Sequence, residues 1–329
     1  MNQDISIGID IGGTKIAAGL VTKKGTVVYK QVVPTATEGK DQVIFQLKQL
    51  LVDLFEATKR LGFPNVKGIG IGTAGQIDFE NGIVRSGTDN IKNWNNVFLK
   101  EEVQKLYSMP VWIDNDVNVM ALAESNLGAA KGYMHAVFLT IGTGIGGAVI
   151  QRGQLLHGDW GGAAELGHMS IDWNGPLCNC GFRGCLEAYA SGTGVADRMT
   201  AYFEKYPELH DGSLETISAR NVFQWAKEGN PHAQFILDDA MDALAYGTVN
   251  IMHAFNPALL VFGGGIVDQH SWMISDLQNR VRKLGISSLV QPVSFVKAAF
   301  GDEAGLIGAA YQSFIYRENV QREGASYEG

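Results

Sequence analysis

The chain has 329 residues, 46% apolar and 18% charged, with 41 glycines, three cysteines and a formal charge of −8. That length suits two domains with sizeable cores, and the acidic balance argues against a nucleic-acid partner, which would need a basic stripe. No basic-then-apolar leader opens the sequence, and no apolar run approaches the ~20 residues of a membrane span, so the expectation is a cytosolic chain with no membrane partner.

The predicted elements begin with three strands, "ISIGIDIG", "KIAAGLVT" and "GTVVYKQVV", joined by short turns. Val43, Ile44, Leu47, Leu50, Leu51 and Leu54 recur at helical spacing and predict a helix over 40–61. "VKGIGIGTAG" reads as a buried strand, "FENG" as a hairpin turn, 98–107 as a short helix and "PVWIDND" as a strand. A helix should follow through "VNVMALAESNLG", stopped at Gly128. "HAVFLTIGTGIGGAVIQRGQLL" then repeats the opening pattern of strand, glycine turn, strand, turn, strand. Two related lobes with a cleft between them are expected. Helices near 193–205, 219–228 and 231–255, a strand at "ALLVFGGGI", a helix over 271–284, a strand at "VSFVKAAF" and a helix over 302–316 complete the chain. The tail "ENVQREGASYEG" is polar and expected to fray.

Two glycine turns stand at matching places. "DIGGTK", Asp10 to Lys15, has an acid at a strand end followed by Gly12, Gly13 and Thr14. "IGTGIGG" carries Gly142, Thr143 and Gly144. Backbone N–H groups in such turns can face a phosphate because glycine puts no Cβ in the way. Asp10 can hold Mg²⁺ through water. The competing reading of each is a tight hairpin. Gly263, Gly264 and Gly265 form a third turn, able to flank a base. Neither of the first two has Walker A spacing, and neither precedes a helix as a Rossmann turn does.

"WIDNDVNVMALAE" concentrates Asp114, Asn115, Asp116 and Asn118 at a strand-to-helix junction. Phosphoryl transfer to an alcohol needs a carboxylate to accept the hydroxyl proton. For Asp114 a capping or turn role is expected; for Asp116, the base role.

The three cysteines, Cys178, Cys180 and Cys185, lie within eight residues. In a cytosolic chain such clusters more often bind metal than form disulfides. His168 completes a Cys₃His set, a closed tetrahedral arrangement suited to structural Zn²⁺ and leaving no place for a catalytic water. Gly181 and Gly184 let the loop curl. Glu165 and Glu187 flank the ligands, so the metal would fix two carboxylates in a wall suited to a polyhydroxylated ligand.

These residues together resemble the ROK family of bacterial sugar kinases and repressors, within the sugar kinase–Hsp70–actin ATPase superfamily. "GIDIGGTK" is similar to the family's first phosphate motif, "NDVN" to its catalytic motif, "ELGH" to its sugar motif, "CNCGFRGCLE" to its zinc signature and "GDEAGLIGAA" to its C-terminal segment. The resemblance implies an α/β, two-lobed actin-like ATPase (ribonuclease H-like) fold with mixed sheets flanked by helices. The lobes are expected at 1–117 with 303–329, carrying the first phosphate motif, and at 118–302, carrying the zinc loop, second phosphate motif and adenosine site. It implies sugar contacts from Asn90, Asn115, Asp116, Glu165, His168 and Glu187, a backbone contact near Gly75, and Asp116 as base. Family glucokinases often read N-L-P-G-W where this chain has "NIKNW"; Lys92 and Asn93 replace Pro-Gly. A repressor's winged-helix domain has no room before residue 10, and that class is not expected. The resemblance implies a homodimer or homotetramer.

The expected function is a MgATP-dependent hexose kinase acting on the 6-hydroxyl of glucose. Its rivals are a kinase for fructose, mannose, allose or N-acetylmannosamine, a non-catalytic sugar sensor, and an ATPase or phosphatase of the same superfamily.

Overall fold

The computed structural model describes residues 4–87, 90–209, 212 and 217–326, with side chains to 317. The chain forms two compact units. One comprises Met1–Gly132, Gly153–Ala163 and Ala299–Gly329; the other comprises Tyr133–Arg152 and Ala164–Ala298.

The first unit is built on β1 (Ile5–Ile11), β2 (Lys15–Thr22), β3 (Val27–Pro34), β4 (Val66–Thr73) and β7 (Val111–Asn115), ordered β3-β2-β1-β4-β7. β1 runs antiparallel to β2 and parallel to β4, and β4 runs parallel to β7. Nearly every β1 residue is buried: Ile5, Ile7, Ile9 and Ile11 join the core cluster on one face, and the small Ser6 and Gly8 between them meet Ser313, Leu306 and Ala310 on the other. Successive side chains point to opposite faces. Leu20 joins the cluster made with α1 (Lys40–Arg60), whereas Val21 packs with Ala123, Leu306 and Ala310. So α1 covers one face, while α3 (Asp116–Asn126) and α11 (Ala304–Ser326) cover the other. α11 lies so close to the sheet that a Cβ on Gly70 would fall 1.7 Å from the Ala309 carbonyl oxygen. A small hairpin, β5 (Gln76–Asp78) and β6 (Ile83–Ser86), and α2 (Leu99–Gln104) complete this part of the chain. The short strand β10 (Gln154–Leu155) also belongs to this unit.

The second unit repeats the scheme with β8 (His135–Ile141), β9 (Ile145–Gln151), β11 (Leu259–Gly263) and β12 (Ser294–Lys297), ordered β9-β8-β11-β12. β8 is antiparallel to β9 and parallel to β11, as β1 is to β2 and β4. Its helices are α4 (Leu186–Ala190), α5 (Gly192–Lys205), α6 (Ala219–Lys227), α7 (Pro231–Phe255), α8 (Gly265–Gln269), α9 (Trp272–Val281) and α10 (Ser287–Val290). α7 starts and stops where its residues dictate. Asn230 caps the His232 and Ala233 N–H groups, Pro231 fills the first turn, and Asn256 ends it in the left-handed region.

Three differences from the sequence expectations stand out. α3, which packs on α11, falls within the first unit, as do 153–163 and 299–302, whereas the expected lobe limits lay at 117 and 303. α11 runs to Ser326, past the expected 316 and through most of the tail expected to fray; the last three residues lie outside the described ones. α4, α8 and α10 have no counterpart among the predicted helices. Among the described residues, no helix is long and apolar enough to cross a membrane.

Candidate active site

In the first unit, the sheet register sets the site. Asp10 on β1 pairs with Gly72 on β4, and Gly72 pairs with Asp114 on β7. The strand ends therefore bring Asp10 into line with the start of α3. The β1–β2 turn closes with a Gly12 N–H to Lys15 O bond of 3.0 Å. Thr35 holds it from behind: its hydroxyl donates to Gly12 O at 2.6 Å and its N–H to Thr14 O at 3.1 Å. Among the described residues, the N–H groups of Gly13 and Thr14 carry no hydrogen bond. Gly13 lies against Asn90, where a Cβ would come within 2.5 Å of the Asn90 Cβ. Lys15 reaches Asp302 at 3.6 Å, an exposed pair of small energetic value.

Burial, and then the charge of Asp116, push the Asp10 carboxyl up to about 7; Lys15 pulls the other way. Asp10 and Asp116 thus crowd each other beside the glycine turn. Asp116 is half-buried at the first position of α3, not turned into the core. The cap of that helix is Asn115, whose Oδ1 accepts from Val117 N–H at 2.8 Å. Its Nδ2 donates to Gly75 O at 2.9 Å.

Asp114 does not cap. It is fully buried and ties the junction together. Its Oδ1 accepts from Asn118 Nδ2 and from Asn115 N–H, each at 2.8 Å, and its Oδ2 lies 2.7 Å from His157 Nε2. The His157 ring stacks on Phe79 with centroids 4.0 Å apart. Nothing in local spacing pointed to His157, which is 43 residues from Asp114. In the 90–94 stretch, Asn93 takes φ +60°, a left-handed conformation that asparagine tolerates, so it stands in for a glycine. Trp94 is buried and donates to Thr73 Oγ1 at 3.1 Å.

In the second unit, the β8–β9 turn closes with Gly142 N–H to Gly144 O at 3.0 Å. The first residues of α5 hold it: Gly192 N–H donates to Gly142 O at 2.8 Å and Thr193 N–H to Thr143 O at 3.1 Å. Glu187 Oε2 accepts the Ile145 N–H at 2.7 Å. Among the described residues, the N–H groups of Thr143 and Gly144 carry no hydrogen bond. The third turn packs on the second: Gly264, at φ +92°, leaves no space for a Cβ, which would sit 2.6 Å from Ile141 O. Gly263 and Gly265 flank it at the end of β11 and the start of α8.

The metal-ligand set is also in place. One donor atom each from His168, Cys178, Cys180 and Cys185 lies within 4.8 Å of the others. Cys178 Sγ and His168 Nδ1 are 3.6 Å apart, and Cys180 Sγ and Cys185 Sγ are 3.6 Å apart. Tetrahedral Zn²⁺, with Zn–S about 2.3 Å and Zn–N about 2.0–2.1 Å, asks for S···N and S···S separations of about 3.6 and 3.8 Å. Gly181 and Gly184, at φ +87° and +67°, let the loop curl. Burial pushes the Cys185 thiol up to about 12, so thiolates here need a cation beside them. Glu165 is exposed at the start of the turn Leu166–His168, and its carbonyl accepts the His168 N–H at 3.1 Å.

The predicted site residues thus fall into two sets. Asp10, Gly12, Gly13, Thr14, Lys15, Gly75, Asn90, Asn115 and Asp116 belong to the first unit; the remainder belong to the second.

The sequence model of the ROK family matches residues 6–313. A glucokinase of Thermotoga maritima is 38% identical over 309 residues, covering 92% of this chain and 95% of that one. The ROK hexokinase of Thermus thermophilus superposes with a TM-score of 0.82 at 32% identity, over 96% of this chain and 99% of that one. A ROK glucokinase from Streptomyces griseus, solved with glucose and AMPPNP, gives 0.75 at 30% identity, over 93% and 98%.

Proposed function

The chain belongs to the ROK family, and on that premise we propose that it is a glucokinase moving the γ-phosphoryl of MgATP to the 6-hydroxyl of glucose. Its fold is the two-lobed actin-like ATPase fold of that family's sugar kinases. The observation that carries the reading is a half-buried Asp116 carboxylate placed beside Asp10 and a glycine turn with two unpaired N–H groups.

Asp116 accepts the hydroxyl proton as the sugar oxygen bonds to the γ-phosphorus and the bond from that phosphorus to the β,γ-bridging oxygen breaks, releasing ADP. Asn115 and the Asp114–His157 pair hold that carboxylate at the strand end. The N–H groups of Gly13 and Thr14, and of Thr143 and Gly144, are the free donors for phosphate oxygens, with Lys15 beside the first turn. Gly263 to Gly265 border the adenine. Two crowded carboxylates fit a divalent cation: Asp10 would hold Mg²⁺ through water, and the ion supplies charge neutralisation on the phosphates. Asn90, Asn115, Asp116, Glu165, His168, Glu187 and the backbone near Gly75 address the sugar. His168 has its Nδ1 committed to the sulfur cluster, which leaves Nε2 for a hydroxyl.

Zn²⁺ fits the Cys₃His donors, and with all four positions taken it supplies shape rather than chemistry. Cytoplasmic residence and a homodimer or homotetramer complete the reading on the family likeness; light scattering on a sizing column checks the oligomer.

The test is ADP release over a panel of hexoses. Turnover should depend on sugar, with glucose giving the highest kcat/KM. ATP turnover indifferent to sugar sinks the kinase reading, and a higher kcat/KM for mannose, fructose, allose or N-acetylmannosamine sinks glucose as acceptor.

A further inference from the structure

Glu187 is expected to face the sugar, yet one of its carboxylate oxygens is already spent. Oε2 takes the Ile145 N–H at 2.7 Å, immediately after the turn whose Thr143 and Gly144 N–H groups are free. The contact is close on every side: a Cβ on Gly144 would fall 2.4 Å from that same oxygen. A carboxylate against a phosphate turn is electrostatically unfavourable when the phosphate arrives. Its position therefore needs a structural reason.

That reason lies in α4. Five residues are too few to hold a helix without tertiary support. Its N-cap is Cys185, one of the four metal-ligand candidates, and its C-cap is Ser191. The Leu186 N–H donates to Met169 O at 3.0 Å, and the Leu186 side chain is fully buried against Gly247 of α7. Tyr189 donates its hydroxyl to Asp172 at 2.9 Å, while Arg198 donates to Tyr189 O at 3.2 Å. Immediately beyond Ser191, the N–H groups of Gly192 and Thr193 hold the carbonyls of Gly142 and Thr143. The helix that starts on the sulfur cluster thus grips the turn twice, through Glu187 on its N–H side and through α5 on its carbonyl side.

Building on the kinase reading above, we propose that Glu187 is a positioning residue for nucleotide: it fixes the second phosphate turn, and through α4 it ties that turn to the Cys₃His loop and the sugar wall. Oε2 orients the turn and Oε1 remains for the sugar. Filling the sugar site then orders the same carboxylate that the phosphate turn leans on.

The measurement is AMPPNP binding by calorimetry, with and without glucose, on the full chain. Glu187→Ala removes the acceptor and should weaken sugar-free AMPPNP binding about tenfold, equivalent to about 1.4 kcal/mol. Glu187→Gln keeps an acceptor oxygen and should stay within about threefold, because a neutral acceptor gives a weaker but intact bond. Zinc content should be the same in both. A residue that only touches sugar would leave sugar-free AMPPNP binding untouched in Glu187→Ala, and that result overturns the inference. Equal weakening in Ala and Gln overturns it too. Should Glu187→Ala fail to fold, Glu187→Asp withdraws the carboxylate by one methylene and reads the same loss. A wild-type chain that binds no AMPPNP sinks the kinase reading itself; a wild-type chain that binds it, beside a Glu187→Ala chain that binds equally well, removes this inference alone.

Discussion

The two glycine turns, residues 12–14 and 142–144, have the same skeleton and different supports. Each joins antiparallel strands, closes with one short bond and leaves two consecutive N–H groups without a partner among the described residues. Among the described residues, the hydrogen bonds that hold the first from outside come from Thr35, and it stands next to two carboxylates that repel each other. The second has no such acid pair among the described residues but is held by two helices, one rising from the sulfur cluster. The difference teaches a division of labour. On the proposed reading, chemistry and cation belong with the lightly held turn, where charge can be exchanged. Rigidity sits with the heavily held one, where a nucleotide needs a ready-made cradle and pays less ordering entropy on binding.

Substitutions can break that division, starting with the largest effect. Asp116→Asn removes the proposed base and should lower kcat by about 10²–10⁴-fold, with the glucose Kd within about threefold by calorimetry. Near-normal turnover would move the chemistry away from the first turn. Cys180→Ser acts on the other side. Cys180 is the exposed member of the Cys₃His set, so its loss disturbs packing least. Zinc content should fall well below one equivalent, and glucose binding should weaken about tenfold, a size typical of disturbed metal-site support. A metal-free variant that still binds glucose normally would show that the loop needs no ion.

The pH dependence sharpens the same contrast. Asp10 is raised from 3.8 to about 7, so its protonated form is favoured in the fold. Its contribution to stability is full below about pH 4 and is lost as pH rises through about 7. Asp10→Asn has no such loss. In Mg²⁺-free buffer the variant should melt a few degrees above wild type at pH 8, and the gap should close towards pH 4, while activity disappears. A wild type as stable as the variant at pH 8 would mean the carboxylates do not repel as the geometry requires.

How far the sequence reaches follows from how local each signal is. The Cys₃His cluster was legible because three sulfurs lie within eight residues and the histidine is ten residues away, so proximity in the chain is proximity in space. The repeated strand–turn–strand pattern was legible for the same reason, since a hairpin turn is self-contained. The ROK resemblance added the sugar and catalytic roles. What stayed hidden is long-range or short of a period. α4 has five residues, too few to show a helical repeat, and survives on bonds to Met169, Asp172 and Arg198. His157 meets Asp114 across 43 residues. Glu124, fully buried, accepts N–H groups from Ala129, Ala299 and Phe300; the last two are some 175 residues away, and α11 follows from there. That link is why the first unit reclaims the chain's end, and no pattern near Glu124 announces it.

The smallest effect tests the lightest support. Thr35 is buried, and its hydroxyl donates to Gly12 O at 2.6 Å, while its N–H serves Thr14 O. Thr35→Val keeps the branched shape and the N–H bond and removes only the hydroxyl. A neutral bond of this kind is worth about 1 kcal/mol, and only part of that reaches the nucleotide, because the turn retains its own Gly12 to Lys15 closure. The KM for ATP should rise about two- to threefold, with kcat unchanged, because Asp116 and Asp10 are left in place. A fall in kcat without a change in KM would show that Thr35 positions the carboxylates rather than the phosphate donors, and the division between the two turns would have to be redrawn.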